Sequence, residues 1–155
     1  MLLRTASIVL ALAISAAVPT VAGAKTRHTH RYTATIRLAA VSVTGTVPAA
    51  GSSELQAGLV QSNLGRGSAL ATFNFDGTPT ATGTAELFYP RGYIKSTATS
   101  SATPQPDGSL AITGGGKVLK GTGRFKGATG SYTCNGVEAA GSAITTLSCK
   151  GTLKY

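Results

Sequence analysis

The chain has few of the residues from which catalytic and metal sites are usually built. Its 155 residues include five acidic side chains, two histidines, two cysteines and no tryptophan. We find no zinc-ligand cluster, nucleophile elbow, phosphate-binding glycine loop or paired-carboxylate motif. His28 and His30 would share one face of a strand, but a tight metal site needs a third ligand. The sequence therefore predicts neither a metal nor a cofactor.

Aromatic residues and helical periodicity are scarce as well. Four phenylalanines and five tyrosines are too few for the aromatic girdles of a membrane-spanning β-barrel. No window has the apolar stripe of an amphipathic helix. The dense basic segment 117–126 includes a single aromatic residue, Phe125, and does not form a base-stacking platform, so we expect no specific nucleic-acid partner.

The one long apolar run lies at the start of the chain. A basic Met1–Arg4 segment, the apolar residues 8–18 and the small residues Ala22-Gly23-Ala24 are typical of a secretory signal peptide. The sequence thus predicts a signal peptide over 1–24, a frayed polar segment over 25–31 and a β-barrel domain over 32–155. We expect a secreted protein, extracellular or in the cell envelope, that does not span the membrane after cleavage.

The rest of the chain alternates with the period of strands. Tyr32, Ala34, Ile36 and Leu38 share one face, and the alternation slips at residues 39–40, which indicates a bulge. Similar segments recur roughly every 10–14 residues between Gly, Pro and Asp turn signals, a pattern typical of an all-β barrel or sandwich.

The two cysteines are expected to form a disulfide. Cys134 and Cys149 lie symmetrically about Gly141-Ser142, so a hairpin turning there would place them opposite one another. Exported cysteine pairs usually oxidise. A catalytic thiol is the alternative, but no histidine lies near either cysteine in the sequence.

Glycines are concentrated in 114–132, with Val118, Leu119, Phe125 and Tyr132 between them, which does not suit a flexible linker. The segment 121–130, Gly-Thr-Gly-Arg-Phe-Lys-Gly-Ala-Thr-Gly, preceded by Ile112-Thr113-Gly114-Gly115, resembles a signature of the allene oxide cyclase-like and dirigent-like barrels. The resemblance implies a single eight-stranded antiparallel β-barrel and members that often associate into oligomers. The interior of such a barrel is either filled by side chains or just able to hold one small ligand. We expect structural roles for the glycines of this signature: Gly121, Gly123, Gly127 and Gly130.

Three functions follow as hypotheses. The leading one is a non-catalytic barrel that binds a small apolar molecule. The candidate lining residues are Phe73, Phe75, Leu87 and Tyr89. The second is a cyclase or isomerase of the resembling family, with Glu54 and Glu86 as its candidate acids, although Glu86 shares its face with threonines and should meet solvent. The third is a module that binds an anionic cell-envelope polymer, because the formal net charge is +9.

Overall fold

The computed structural model of the protein describes residues 27–155, and the expected signal peptide lies outside them. The described residues form eight strands and one short 3-10 helix. The strands are β1 Thr29–Thr44, β2 Ser53–Ser62, β3 Gly65–Phe75, β4 Thr80–Tyr89, β5 Gly92–Pro104, β6 Leu110–Gly121, β7 Thr129–Glu138 and β8 Ile144–Lys154, with the 3-10 helix Gly123–Phe125 between β6 and β7. Each strand pairs with the next, and β1 pairs with β8, all antiparallel, so that the sheet closes into a barrel.

The observed strands differ from the predicted ones mainly at their ends. Thr29 already pairs with Lys154, so the polar segment expected to fray over 25–31 belongs to the barrel from residue 29 onward. The register of β1 against β2 shifts between Ala40 and Ser42, at the place where the alternation slips. No helix in residues 27–155 is long and apolar enough to cross a membrane.

The up-and-down order divides the connections between the two ends of the barrel. The β2–β3, β4–β5 and β6–β7 connections lie at one end together with both ends of the described chain, and the other four connections lie at the opposite end. We call the first the closed end and the second the mouth.

A plug fills the closed end. The 3-10 helix brings Phe125 inward, where it is fully buried against Tyr89 and Tyr155, with ring centroids 5.5 and 5.2 Å away. The turn requires glycine at Gly123, whose φ is +56° and where a Cβ would collide with the Arg91 carbonyl oxygen. The glycine-rich signature therefore forms the end of the barrel and its plug.

The glycines that precede this turn have a different role. Gly114, Gly115 and Gly116 lie inside β6 and pair with β7. At Gly116 a Cβ would collide with the Thr97 carbonyl oxygen of β5, so only glycine allows the two strands to approach this closely. These three glycines therefore lie in the interior of a strand.

Candidate ligand-binding site in the barrel lumen

The inner face of the barrel is set by alternation along each strand. Tyr32, Ala34, Ile36 and Leu38 of β1 are all buried, and Ala34 pairs with Cys149 of β8. The registers carry this face around the barrel, so one set of residues from every strand lines the lumen. The side chains of that set change from aromatic at the closed end, through small in the middle, to polar and apolar together at the mouth.

The middle of the lumen holds an apolar chamber of about 50 Å³. Small side chains leave this space open, because Ala69, Ala71, Ala85, Ala98 and Gly114 stand where larger residues would fill it. The other walls are aliphatic or aromatic residues such as Ile36, Leu38, Phe73, Leu87 and Leu147.

The chamber is bordered by the disulfide. Cys134 and Cys149 pair directly across β7 and β8, are bonded to one another and are buried, so the predicted disulfide is confirmed. Cys134 is part of the chamber wall. The disulfide therefore joins the last hairpin from inside the lumen.

The mouth holds a wider cavity of about 260 Å³. It shares Phe73, Ser100, Ile112 and Leu147 with the middle chamber, so the two spaces are neighbours along the barrel axis. Its remaining walls combine apolar residues with four polar ones, Glu54, Gln56, Glu138 and Thr145.

The polar residues of the mouth occur in hydrogen-bonded pairs. Glu54 accepts a hydrogen bond from the Gln56 amide at 3.1 Å, and Glu138 accepts one from the Thr145 hydroxyl at 2.7 Å. Each bond uses one of the two carboxylate oxygens. Both glutamates are partly buried. Glu54 lies on β2 and Glu138 on β7, so the β8–β1 pair separates them along the wall.

The closed end carries hydroxyl groups. Ser62 and Tyr89 lie within hydrogen-bonding distance at 3.1 Å, as do Ser96 and Tyr132, also at 3.1 Å. The Tyr32 hydroxyl is buried without a partner in the described part of the chain. It lines a small chamber of about 20 Å³, and burial raises the pKa of Tyr32 far above its ordinary value.

The candidate residues from the sequence fall into three places. Phe73 and Leu87 line the middle chamber, and Phe75 lines the mouth. Tyr89 packs against the plug at the closed end. Glu54 lies in the mouth, whereas Glu86 lies on the outer wall, where its carboxylate is 2.9 Å from the Lys95 ammonium.

Glu138 lines the mouth and is not among the candidate residues that the sequence indicated. The signal was present in the alternation, because Tyr132, Cys134, Gly136 and Glu138 share one face of β7. Once Cys134 is known to face inward, Glu138 must face inward as well.

The chain matches no protein-family model, no curated protein and no solved structure. The resemblance to the allene oxide cyclase-like barrels therefore stays a prediction. In the described residues, no group of three or more His, Cys, Asp or Glu side chains is placed to hold a metal ion.

Proposed function

We propose that the protein is a secreted, non-catalytic barrel that binds a small, largely apolar molecule in its lumen. The observation that carries the proposal is the pair of adjacent cavities, about 260 and 50 Å³, between the mouth of the barrel and a fully buried plug. Ligand sites are typically concave and mostly apolar, with a few polar groups that fix orientation. Export is supported by the disulfide, which persists in oxidising compartments, and by the signal-like start of the chain.

Thermal stabilisation tests this function. Alkanols and terpenoid alcohols of increasing size should raise the unfolding midpoint, because a ligand that binds only the folded state stabilises it. The test variant is Ala98→Leu, whose larger side chain fills the middle chamber and should abolish the shift. The control is Thr97→Val, a substitution of the outward-facing neighbour that should leave the shift in place. If no compound shifts the midpoint, the lumen is not a binding site.

A cyclase in the same lumen is a second candidate, favoured by the position of Glu54 in the mouth cavity. A carboxyl group there could give or take a proton beside an apolar substrate. Turnover of an unsaturated epoxide that is lost in Glu54→Gln and kept in Glu86→Gln would support it. Equal rates in both variants would remove the assignment.

An anionic polymer is the third candidate, and it is favoured by a groove of about 240 Å³ outside the closed end. Arg66, Arg91 and Arg124 line this groove, and Arg124 is held there by a 3.0 Å hydrogen bond to the Leu64 carbonyl. Retention on purified cell wall should then fall steeply with salt and weaken in Arg66→Gln. Salt-independent retention would reject this role.

A further inference from the structure

The charges of this protein are divided between the two ends of the barrel. Four of its five acidic residues lie at the mouth: Glu54 and Glu138 in the cavity wall, and Asp76 and Asp107 in the β3–β4 and β5–β6 connections. None of the four mouth connections contains a lysine or arginine. The mouth is thus negative on a protein whose formal net charge is +9.

Hydrogen bonds keep the mouth aspartates ionised. Asp76 accepts bonds from the hydroxyl and the backbone of Thr78, and Asp107 accepts the same pair of bonds from Ser109. These bonds lower the pKa of both carboxyl groups. A ring of negative charge around a cavity with low-dielectric walls attracts cations toward it.

No basic side chain neutralises the two carboxylates inside the cavity. In residues 27–155 the ion pair that forms is Lys95–Glu86, on the outer wall. The hydrogen-bond donors to Glu54 and Glu138 are the neutral side chains of Gln56 and Thr145. A partly buried carboxylate forms its strongest hydrogen bonds with a donor that carries a positive charge.

The inner end of the lumen holds a further polar group. The Tyr32 side chain lies near that of Tyr89, which adds to the raised pKa of Tyr32, but its buried hydroxyl makes no close hydrogen bond within the described residues. Its chamber shares Leu87 and Tyr132 with the middle chamber. A buried hydroxyl is normally satisfied by protein or water, so this chamber can take a water molecule or a second polar atom of a molecule in the lumen.

We infer that the molecule bound in the lumen is a protonated amine with an apolar body. Its N–H groups would donate to Glu54 and Glu138 at the mouth, and its hydrocarbon part would lie against Phe73, Ile112 and Leu147. This inference rests on the proposed lumen function and names the class of ligand. Calcium fits less well, because it takes six to eight oxygen ligands and the mouth wall offers the side chains of two carboxylates, one amide and two hydroxyls.

Three probes with the same hexyl chain test the inference: hexylamine, hexanol and heptanoate, titrated into the purified protein by calorimetry at pH 7 and low salt. Hexylamine should bind about tenfold more tightly than hexanol, as expected for one charge-assisted hydrogen-bonded pair. Heptanoate should bind more weakly than hexanol. The preference for the amine should shrink in 0.5 M salt because the mouth is open to solvent.

The double variant Glu54→Gln/Glu138→Gln keeps the shape of the mouth and removes its inner charge. It should bind hexylamine and hexanol equally, within about twofold. The matched control is Glu86→Gln, which should keep the tenfold preference. Circular dichroism confirms that each variant is folded before titration.

The outcomes separate this inference from the function on which it rests. Equal binding of amine and alcohol by the wild type, or a preference that survives in the double variant, would overturn the amine assignment and leave the lumen function standing. Binding of none of the three probes at millimolar concentration would remove both. Calcium binding that is lost in the double variant would replace the amine with a metal ion and overturn the inference.

Discussion

The plug at the closed end gives the sharpest test of the architecture. Phe125 is fully buried, and its ring centroid lies 5.5 Å from that of Tyr89 and 5.2 Å from that of Tyr155. The Arg124 guanidinium lies 4.6 Å from the centroid of the Phe125 ring. Truncating a buried phenylalanine to alanine costs about 3–5 kcal/mol. Part of this is the loss of aromatic pairs, each worth roughly 0.5–1.5 kcal/mol. We expect Phe125→Ala to lower the free energy of unfolding by about 4 kcal/mol.

That energy corresponds to a large change in melting temperature. The unfolding entropy of a domain of about 130 residues is roughly 0.27 kcal/mol/K, so the midpoint should fall by about 15 °C. The assay is thermal and urea unfolding followed by far-ultraviolet circular dichroism. The control is Phe88→Ala, because Phe88 is 39 % exposed on the outer wall and should contribute about 1 kcal/mol. If both variants shift the midpoint equally, Phe125 is not the plug that closes the barrel.

Three further measurements address the disulfide, the buried hydroxyls and the surface ion pair. Replacing Cys134 and Cys149 by serine removes a disulfide between residues that are 15 positions apart. The free energy of unfolding measured in urea should fall by about 3 kcal/mol, and an unchanged midpoint would contradict this. Tyr132→Phe should lower the free energy of unfolding by about 1 kcal/mol, because the Tyr132 hydroxyl bonds to neighbouring groups. Tyr32→Phe should not lower it. Equal losses of stability in the two variants would show that the Tyr32 hydroxyl has a partner. Glu86→Gln removes a partly exposed ion pair and should change stability by less than about 1 kcal/mol.

The same tyrosines should contribute to a loss of stability at alkaline pH. Burial raises the pKa of both Tyr32 and Tyr132 in the folded state, while the unfolded chain ionises near the ordinary value of about 10. Above that pH the unfolded state releases protons that the folded state retains, so stability is fully present below about pH 10 and falls as the pH rises further. In urea titrations from pH 8 to 11, this decline should be smaller in Tyr32→Phe than in the wild type.

Much of the barrel could be predicted from local pattern. Alternation places Tyr32 to Leu38 on one face, and turn residues such as Asp76-Gly77 mark where strands end. The disulfide followed from the symmetry of Cys134 and Cys149 about a turn. These features depend on neighbours a few residues apart, which is the range over which a sequence pattern is informative.

The features that make the site depend on distant neighbours and were harder to predict. Gly114–Gly116 can lie inside β6 because β5 and β7 approach closely, and no local pattern distinguishes that from a turn. Phe125 becomes a plug because the turn that carries it folds over the end of a closed barrel. Glu138 was not a candidate because the inward face of β7 is fixed by its pairing with β8.

The position of the cavity is decided by side-chain size rather than by the fold. An eight-stranded barrel is just wide enough for its own side chains to fill, and aromatic residues fill the closed end. Small residues such as Ala71 and Ala98 leave the middle chamber open, at about 50 Å³. Leaving a space of that size unfilled costs roughly 1 kcal/mol.

Ala98→Leu should therefore stabilise the protein by up to about that amount while abolishing ligand binding, as expected where stability has been given up for function. Unfolding in urea and calorimetry on the same variant measure both quantities. Lower stability together with retained binding would show that the ligand site lies elsewhere.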